Sequence, residues 1–225
     1  MCGRFNVIDS PGLRELLQDL GIEAAPQWRV NIAPTEDIAL VAEEADGRVL
    51  RSARWWLTPS WAPAVDQKYA MFNARCENLA KSPAFRQPFR CQRGLVPMSS
   101  FLEWRTGEGS KQPWLVTNAR SAMAAAALWD VWSRGDQSLL SCTLVTTAAA
   151  PEFEPWHRRM PVLLAPDEWD RWLDNARPVA PDDAIFRSEL KEPLRLLPLS
   201  RAVGDSRRKD AALLEPVGDP VELGC

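Results

Sequence analysis

The second residue is a cysteine, in "MCGRF". Methionine aminopeptidase acts where the residue after Met1 is small, and its action here leaves Cys2 with a free α-amine and a thiol on adjacent carbons. An α-amine ordinarily titrates at about 7.7–8.0, so a usable fraction is neutral near pH 7. The pair is a reagent for aldehydes. The amine forms an imine, and the thiol closes on the imine carbon to give a five-membered thiazolidine, an intramolecular step favoured by proximity. The competing reading is that residue 2 belongs to a frayed terminus.

Three further places carry side chains able to act with it. His157, the sole histidine, lies in "WHRRMPVLL" between an aromatic and two arginines, just before a proline and an apolar strand, where a loop can hold it at the rim of a cleft. A lone histidine is more often structural than catalytic. Glu103 in "SSFLEWR" puts an acid inside an apolar strand. Strand alternation points it to water by default; facing inward, it would lose solvation, its pKa would rise, and it would become a proton donor near neutral pH. Asn73 and Arg75 in "MFNAR" offer an amide to orient a group and a guanidinium to hold a phosphate, against the plain reading of a capped loop.

Elements that must position these residues are legible in part. "SPGLRELLQDLG" predicts an amphipathic helix, with Ser10 as N-cap, Pro11 in the first helical position, leucines at 13, 16, 17 and 20, and Gly21 as the stop. "DIALVAEE" and "RVLRSARWWL" flank Asp46-Gly47 and predict a hairpin. "GLVPMSSFLEWR" and "QPWLVTN" read as short strands around the polar turn "TGEGSK", with Pro97 restricting the first to an edge or an irregular start. "MAAAALWDVW" has helix-favouring alanines, but its flanks and the following "LLSCTLVTT" favour strand. "PDEWDRWLD" predicts a short helix with Trp169 and Trp172 on one face. From about residue 178 onward proline punctuation predicts mostly loops over the domain and a frayed tail. Strands with segregated helices and no linker or repeat indicate a single α+β domain over 1–225, an antiparallel β-rich core with a few flanking helices.

Composition narrows the function classes. No apolar run approaches the ~20 residues of a membrane span, and no signal-peptide pattern opens the chain, so a cytoplasmic protein is expected. Five scattered cysteines without a C-x-x-C pair predict reduced thiols, no metal and no cofactor. A net charge of −3 gives no whole-chain attraction to nucleic acid. The segment from Arg75 to Arg105, however, carries Lys81, Arg86, Arg90 and Arg93 against only Glu77 and Glu103, either a solvated basic face or a local patch. Eleven tryptophans are mostly packing, with one or two available to stack on bases.

Taken together, "MCGRF", "NIAPT", "RWWLTPSW", "FNARCEN", "RGLVPMSSFLEW" and "HRRMPVLL" occur in the order and rough spacing of the SRAP family, the abasic-site-processing proteins first named SOS-response-associated peptidases. The resemblance runs from Cys2 to about Leu164, with an echo in "LLEPV". It implies the antiparallel α+β fold of that family. It further implies that Cys2 joins covalently to the ring-opened deoxyribose of an abasic site in single-stranded DNA, shielding the strand, with AP lyase and autoproteolytic Met1 removal as accompanying activities. By the same resemblance Asn73, Glu103 and His157 complete the catalytic set. Arg4, Arg75 and Arg159 hold DNA phosphates, and Trp104 is an aromatic beside the DNA; Arg86, from the basic stretch, is expected to join the DNA contacts. The expected partner is single-stranded DNA containing abasic sites, bound by a monomer without metal, cofactor or membrane. Leu102 stands where the family usually has an aromatic, and Cys76 where a small or hydroxylated residue is commoner. Two other classes remain open: an N-terminal-nucleophile peptidase or amidohydrolase, and a non-catalytic single-strand DNA-binding module.

Overall fold

The computed structural model describes residues 2–107 and 110–224. In chain order its elements are β1 (Phe5–Val7), α1 (Pro11–Asp19), β2 (Arg29–Ile32), β3 (Asp37–Glu44), β4 (Gly47–Trp55), β5 (Asn73–Arg75), α2 (Arg86–Cys91), β6 (Arg93–Met98), β7 (Ser100–Gly107) and β8 (Ser110–Asn118). They continue with β9 (Met123–Arg134), β10 (Gln137–Ala148), β11 (Arg159–Pro161), α3 (Pro166–Leu173), β12 (Leu194–Pro198) and β13 (Val221–Leu223). One sheet runs β13-β12-β8-β7-β1-β2. The other runs β11-β10-β4-β3-β6-β9, and because β9 also pairs with β10 its central five strands close into a small barrel. Closure leaves none of those five strands at the edge of the sheet. Most pairings are antiparallel, as expected; β10 pairs in parallel with β4 and β5.

Local chemistry explains most of the elements. The Ser10 side chain accepts the Leu13 N–H at 3.2 Å, Pro11 begins α1, its buried leucines face the core, and Gly21 at φ +74° turns the chain away. The β3–β4 hairpin forms, but its turn is Ala45–Asp46, with Gly47 opening β4 at φ +113°. Glycine is needed there for its backbone freedom, one residue later than the dipeptide signal implies. The alanine-rich segment is strand β9. It lies between β6 and β10 with Ala122 to Ala127 all buried, and small side chains admit the neighbouring layers on both faces, which overrides their helix preference.

Four expectations are corrected. "GLVPMSSFLEWR" is two strands broken at Ser99, so that β6 joins the barrel and β7 the other sheet; the Ser99 hydroxyl donates to the Asn6 carbonyl at 2.9 Å at the break. Pro97 does not make β6 an edge strand. β6 lies between β3 and β9, but β3 pairs only with Gly94 and Leu95, so Pro97 sits beyond those pairs, where its missing N–H is tolerated. The segment after Pro178 contributes β12 and β13, which complete the first sheet, β12 pairing from Leu194 opposite Asn118 to Pro198 opposite Trp114. Arg93, counted above within a basic stretch, is fully buried and belongs to the fold rather than to a surface.

Candidate active site

Cys2 lies just before β1, which pairs antiparallel with β7 through Phe5 opposite Phe101. The ladder continues upstream, the Leu102 N–H donating to the Arg4 carbonyl at 2.9 Å. That register carries Cys2 past Glu103 toward Trp104, and it leaves Cys2 fully buried rather than frayed. Its thiol lies 3.7 Å from the Arg4 carbonyl. Burial pushes the thiol pKa up, and the neighbouring Glu103 charge pushes it the same way, so the sulfur is held as a neutral thiol.

Asn73 arrives from the barrel. It opens β5, parallel to β10 with Asn73 opposite Leu144, and the residue before it is pinned by the buried Trp55, whose indole N–H donates to the Phe72 carbonyl at 2.8 Å. The Asn73 amide then donates to the Cys2 carbonyl at 2.8 Å, joining the two sheets at the cysteine. Its Oδ1 is buried and has no hydrogen-bond partner. Glu103, in mid-β7, is 2% exposed, so the strand points it inward. Desolvation raises its pKa above the ordinary carboxylate range, partly offset by the proximity of His157. The imidazole is half-buried on the turn between β10 and β11, with Nδ1 2.9 Å from the Arg159 amide nitrogen and 3.0 Å from the Arg159 carbonyl oxygen, so the ring is anchored to its own strand.

These four side chains, from four separate places in the sequence, form one site. A family model described as SOS response associated peptidase (SRAP) matches residues 1–206. The chain belongs to the SRAP family. It is 30% identical over 225 residues to "Abasic site processing protein YoaM" of Bacillus subtilis (strain 168), covering 96% of this chain and 98% of that protein. With "Abasic site processing protein YoqW" of Bacillus phage SPbeta it shares 31% over 227 residues, covering 96% and 99%. With "Abasic site processing protein YedK" of Escherichia coli (strain K12) it shares 26% over 231 residues, covering 96% and 100%. A crystal structure of a Bacteroides thetaiotaomicron protein has the same fold, with a TM-score of 0.78 at 18% identity, covering 96% of this chain and all of that one.

Around these four side chains the basic residues differ in their commitments. Arg75 is exposed at the end of β5, opposite Thr146 of β10. On the other side of β10, Arg159 donates to the Thr146 carbonyl at 2.7 Å and is paired with Glu77, whose carboxyl it holds down at about 2. Arg4 is half-buried and donates to Asn31 Oδ1 at 2.7 Å and to the carbonyls of Val203 and Gly204 at 3.3 and 3.1 Å. Its guanidinium lies 5.9 Å from the ring centre of the half-buried Trp104. Arg4 is thus already engaged with protein acceptors. Arg86 is exposed at the start of α2, a helix that packs on β6 and β9 rather than on the strands bearing the four central residues. Among the described residues no cluster of three or more His, Cys, Asp or Glu is placed to hold a metal, and no helix is long and apolar enough to cross a membrane. Arg105 entered above only as the end of the basic stretch, and Trp114 and Trp156 were given no role. The available signals were their places: Arg105 is two residues beyond Glu103 on the same strand face, and Trp156 directly precedes His157.

Proposed function

We propose that this chain processes abasic sites in single-stranded DNA, forming a covalent adduct through Cys2 once Met1 is removed. The names of its relatives support the substrate class. The observation that carries the reading is the Asn73 amide on the Cys2 carbonyl beside the buried Glu103.

Ring opening of the abasic deoxyribose exposes an aldehyde at C1′. The Cys2 amine adds to that carbon, and loss of water leaves an imine. The thiol then adds across the C=N bond: sulfur bonds to C1′, its proton passes to nitrogen, and the thiazolidine closes with no change of oxidation state. A neutral thiol suits this order, because the amine attacks first and the thiol brings the proton that the nitrogen needs. Asn73 already donates to the Cys2 carbonyl, and its Oδ1, a buried acceptor without a partner, is the atom expected to take a hydrogen from the liberated amine. A carboxyl with a raised pKa at Glu103 serves as the proton shuttle for ring opening and dehydration, and His157 handles protons on formation and on reversal. An imine acidifies C2′ and invites β-elimination of the strand. Ring closure removes the imine and so protects the strand.

The test is incubation with an abasic oligonucleotide followed by a denaturing gel and mass measurement. The expected adduct equals the Met1-less protein plus the oligonucleotide minus one water. Cys2→Ala, or an N-terminal tag that keeps residue 2 internal, should abolish the stable adduct while leaving DNA binding. An adduct of unchanged yield from the tagged protein would show that Cys2 need not be terminal.

A further inference from the structure

Behind His157 lies a group of side chains that the reaction above does not use. The turn between β10 and β11 folds back on itself, with the Trp156 and His157 amides both directed to the Phe153 carbonyl, at 3.0 and 3.4 Å. Trp156 is 8% exposed, and its ring is held from three sides. Trp114 of β8 meets it edge-on with centres 5.7 Å apart at 85°. Phe153 lies nearly parallel to it at 6.4 Å and 29°, itself packed on Phe101 of β7. The Arg105 guanidinium sits 5.3 Å from its centre. Trp114 is the cross-strand partner of Glu103, and Arg105 lies two residues further along the same face. The β7–β8 pair that presents the acid therefore also presents the groups that grip the residue preceding the imidazole.

We propose that Trp156, clamped by Arg105 and Trp114, is a positioning residue that holds His157 against Glu103. Two observations support positioning over simple filling of space. The Trp156 indole N–H is buried without a hydrogen-bond partner, so the ring is kept for its faces rather than for its donor. Arg105 is otherwise exposed, yet its guanidinium is spent on this ring, a contact that rewards planar stacking and not charge alone. The charges around His157 are Glu103 and Arg105 on β7, Arg158 and Arg159 following it, and Glu77 paired with Arg159.

The role rests on the proposed reaction, but its test does not. With a single histidine, the imidazole resonances of the whole protein report on His157 without assignment. In the wild-type background, Glu103→Gln should move those imidazole resonances, because it replaces the carboxyl beside which His157 lies. In Trp156→Ala the same substitution should leave them unmoved. Trp156→Phe, which keeps a smaller aromatic face and gives up an unpartnered N–H, should restore most of the coupling. Arg105→Lys, which keeps the charge and loses the plane, should weaken it. Adduct formation at saturating abasic DNA should fall about 10–100-fold in Trp156→Ala with half-saturation little changed, as for a misplaced catalytic group, and recover in Trp156→Phe. If Trp156→Ala does not fold, Trp156→Leu and the surface variant Arg105→Lys carry the same comparison. A folded Ala or Leu variant that retains both the Glu103–His157 coupling and the wild-type rate overturns the proposal. A wild-type protein that forms no adduct overturns the reaction instead, and the comparison of imidazole resonances still decides the role of Trp156.

Discussion

Glu103 is where burial and chemistry oppose each other most directly. Its pKa is raised because the folded protein withholds solvent from the carboxylate. The folded chain therefore binds that proton more tightly than the unfolded chain does. Stability from this group grows as pH falls from the raised value toward the ordinary carboxylate range, and above the raised value the full cost of burying the charge remains. Glu103→Gln should accordingly stabilise the protein at neutral pH, by about 1–3 kcal/mol. The gain should shrink toward zero below the ordinary carboxylate range, where both side chains are neutral. The same substitution should slow adduct formation by about 10²–10⁴-fold, the usual contribution of an acid–base group. Thermal melts at several pH values with a parallel time course check both. A variant that is faster, or less stable at neutral pH than at acid pH relative to wild type, would refute the assignment. Cys2 shows the complementary case: a residue whose type was legible in five letters, but whose burial depends on a strand pairing with residues near position 101.

At the scale of elements, local signals were read well and pairings across the chain were not. The capped helix α1, the hairpin near Gly47 and the tryptophan face of α3 depend on residues within a few positions of each other, so the sequence displays their causes. The break at Ser99 and the strands β12 and β13 depend on distant partners: the Asn6 carbonyl at the break, and Asn118 to Trp114 for β12. The four central residues were legible because short motifs carry them. The true commitment of Arg4 was not, because its partners lie 27 and about 200 residues away. The hinge of that arrangement is Asn31, held at φ +52°. Its backbone N–H donates to Asn6 Oδ1 at 2.7 Å, its Oδ1 accepts Arg4, and its Nδ2 lies 3.0–3.1 Å from the carbonyls of Val203, Asp205 and Arg208. One amide thus fastens the 203–208 segment onto β1 and β2. Asn31→Ala should cost about 2–4 kcal/mol, from lost bonds and from a left-handed backbone without glycine or asparagine. Limited proteolysis should then cut first near residues 200–210. Asn31→Gly restores the backbone freedom but not the bonds, so a glycine variant as stable as wild type would show that the amide contacts contribute nothing.

Across the whole molecule the four central residues lie where two sheets meet, and the barrel behind them also has to hold its helices. Arg93, at the start of β6, is fully buried. All five of its N–H donors can be accounted for by backbone carbonyls: Nε by Trp172, Nη1 by Phe89 and Arg90, and Nη2 by Asp174 and Arg177. Phe89 and Arg90 belong to the last turn of α2, and Trp172 to the last turn of α3. Helix C-termini expose unpaired carbonyls and carry partial negative charge, so a single guanidinium closes two helix ends at once. The Trp172 ring lies 5.7 Å from the guanidinium. Burial lowers the pKa of this arginine, yet the group stays far from titration at any ordinary pH. Arg93→Met fills similar volume but strands the carbonyls, and should destabilise the fold by roughly 3–5 kcal/mol. For a chain of this size that corresponds to a fall in Tm of roughly 6–20 °C. Arg93→Lys keeps the charge with three donors in place of five and should lie between the two. Because Arg93 does not touch the site, adduct formation by the folded fraction of either variant should match wild type. A methionine variant that melts with the wild type would place the hold on α2 and α3 in apolar packing alone.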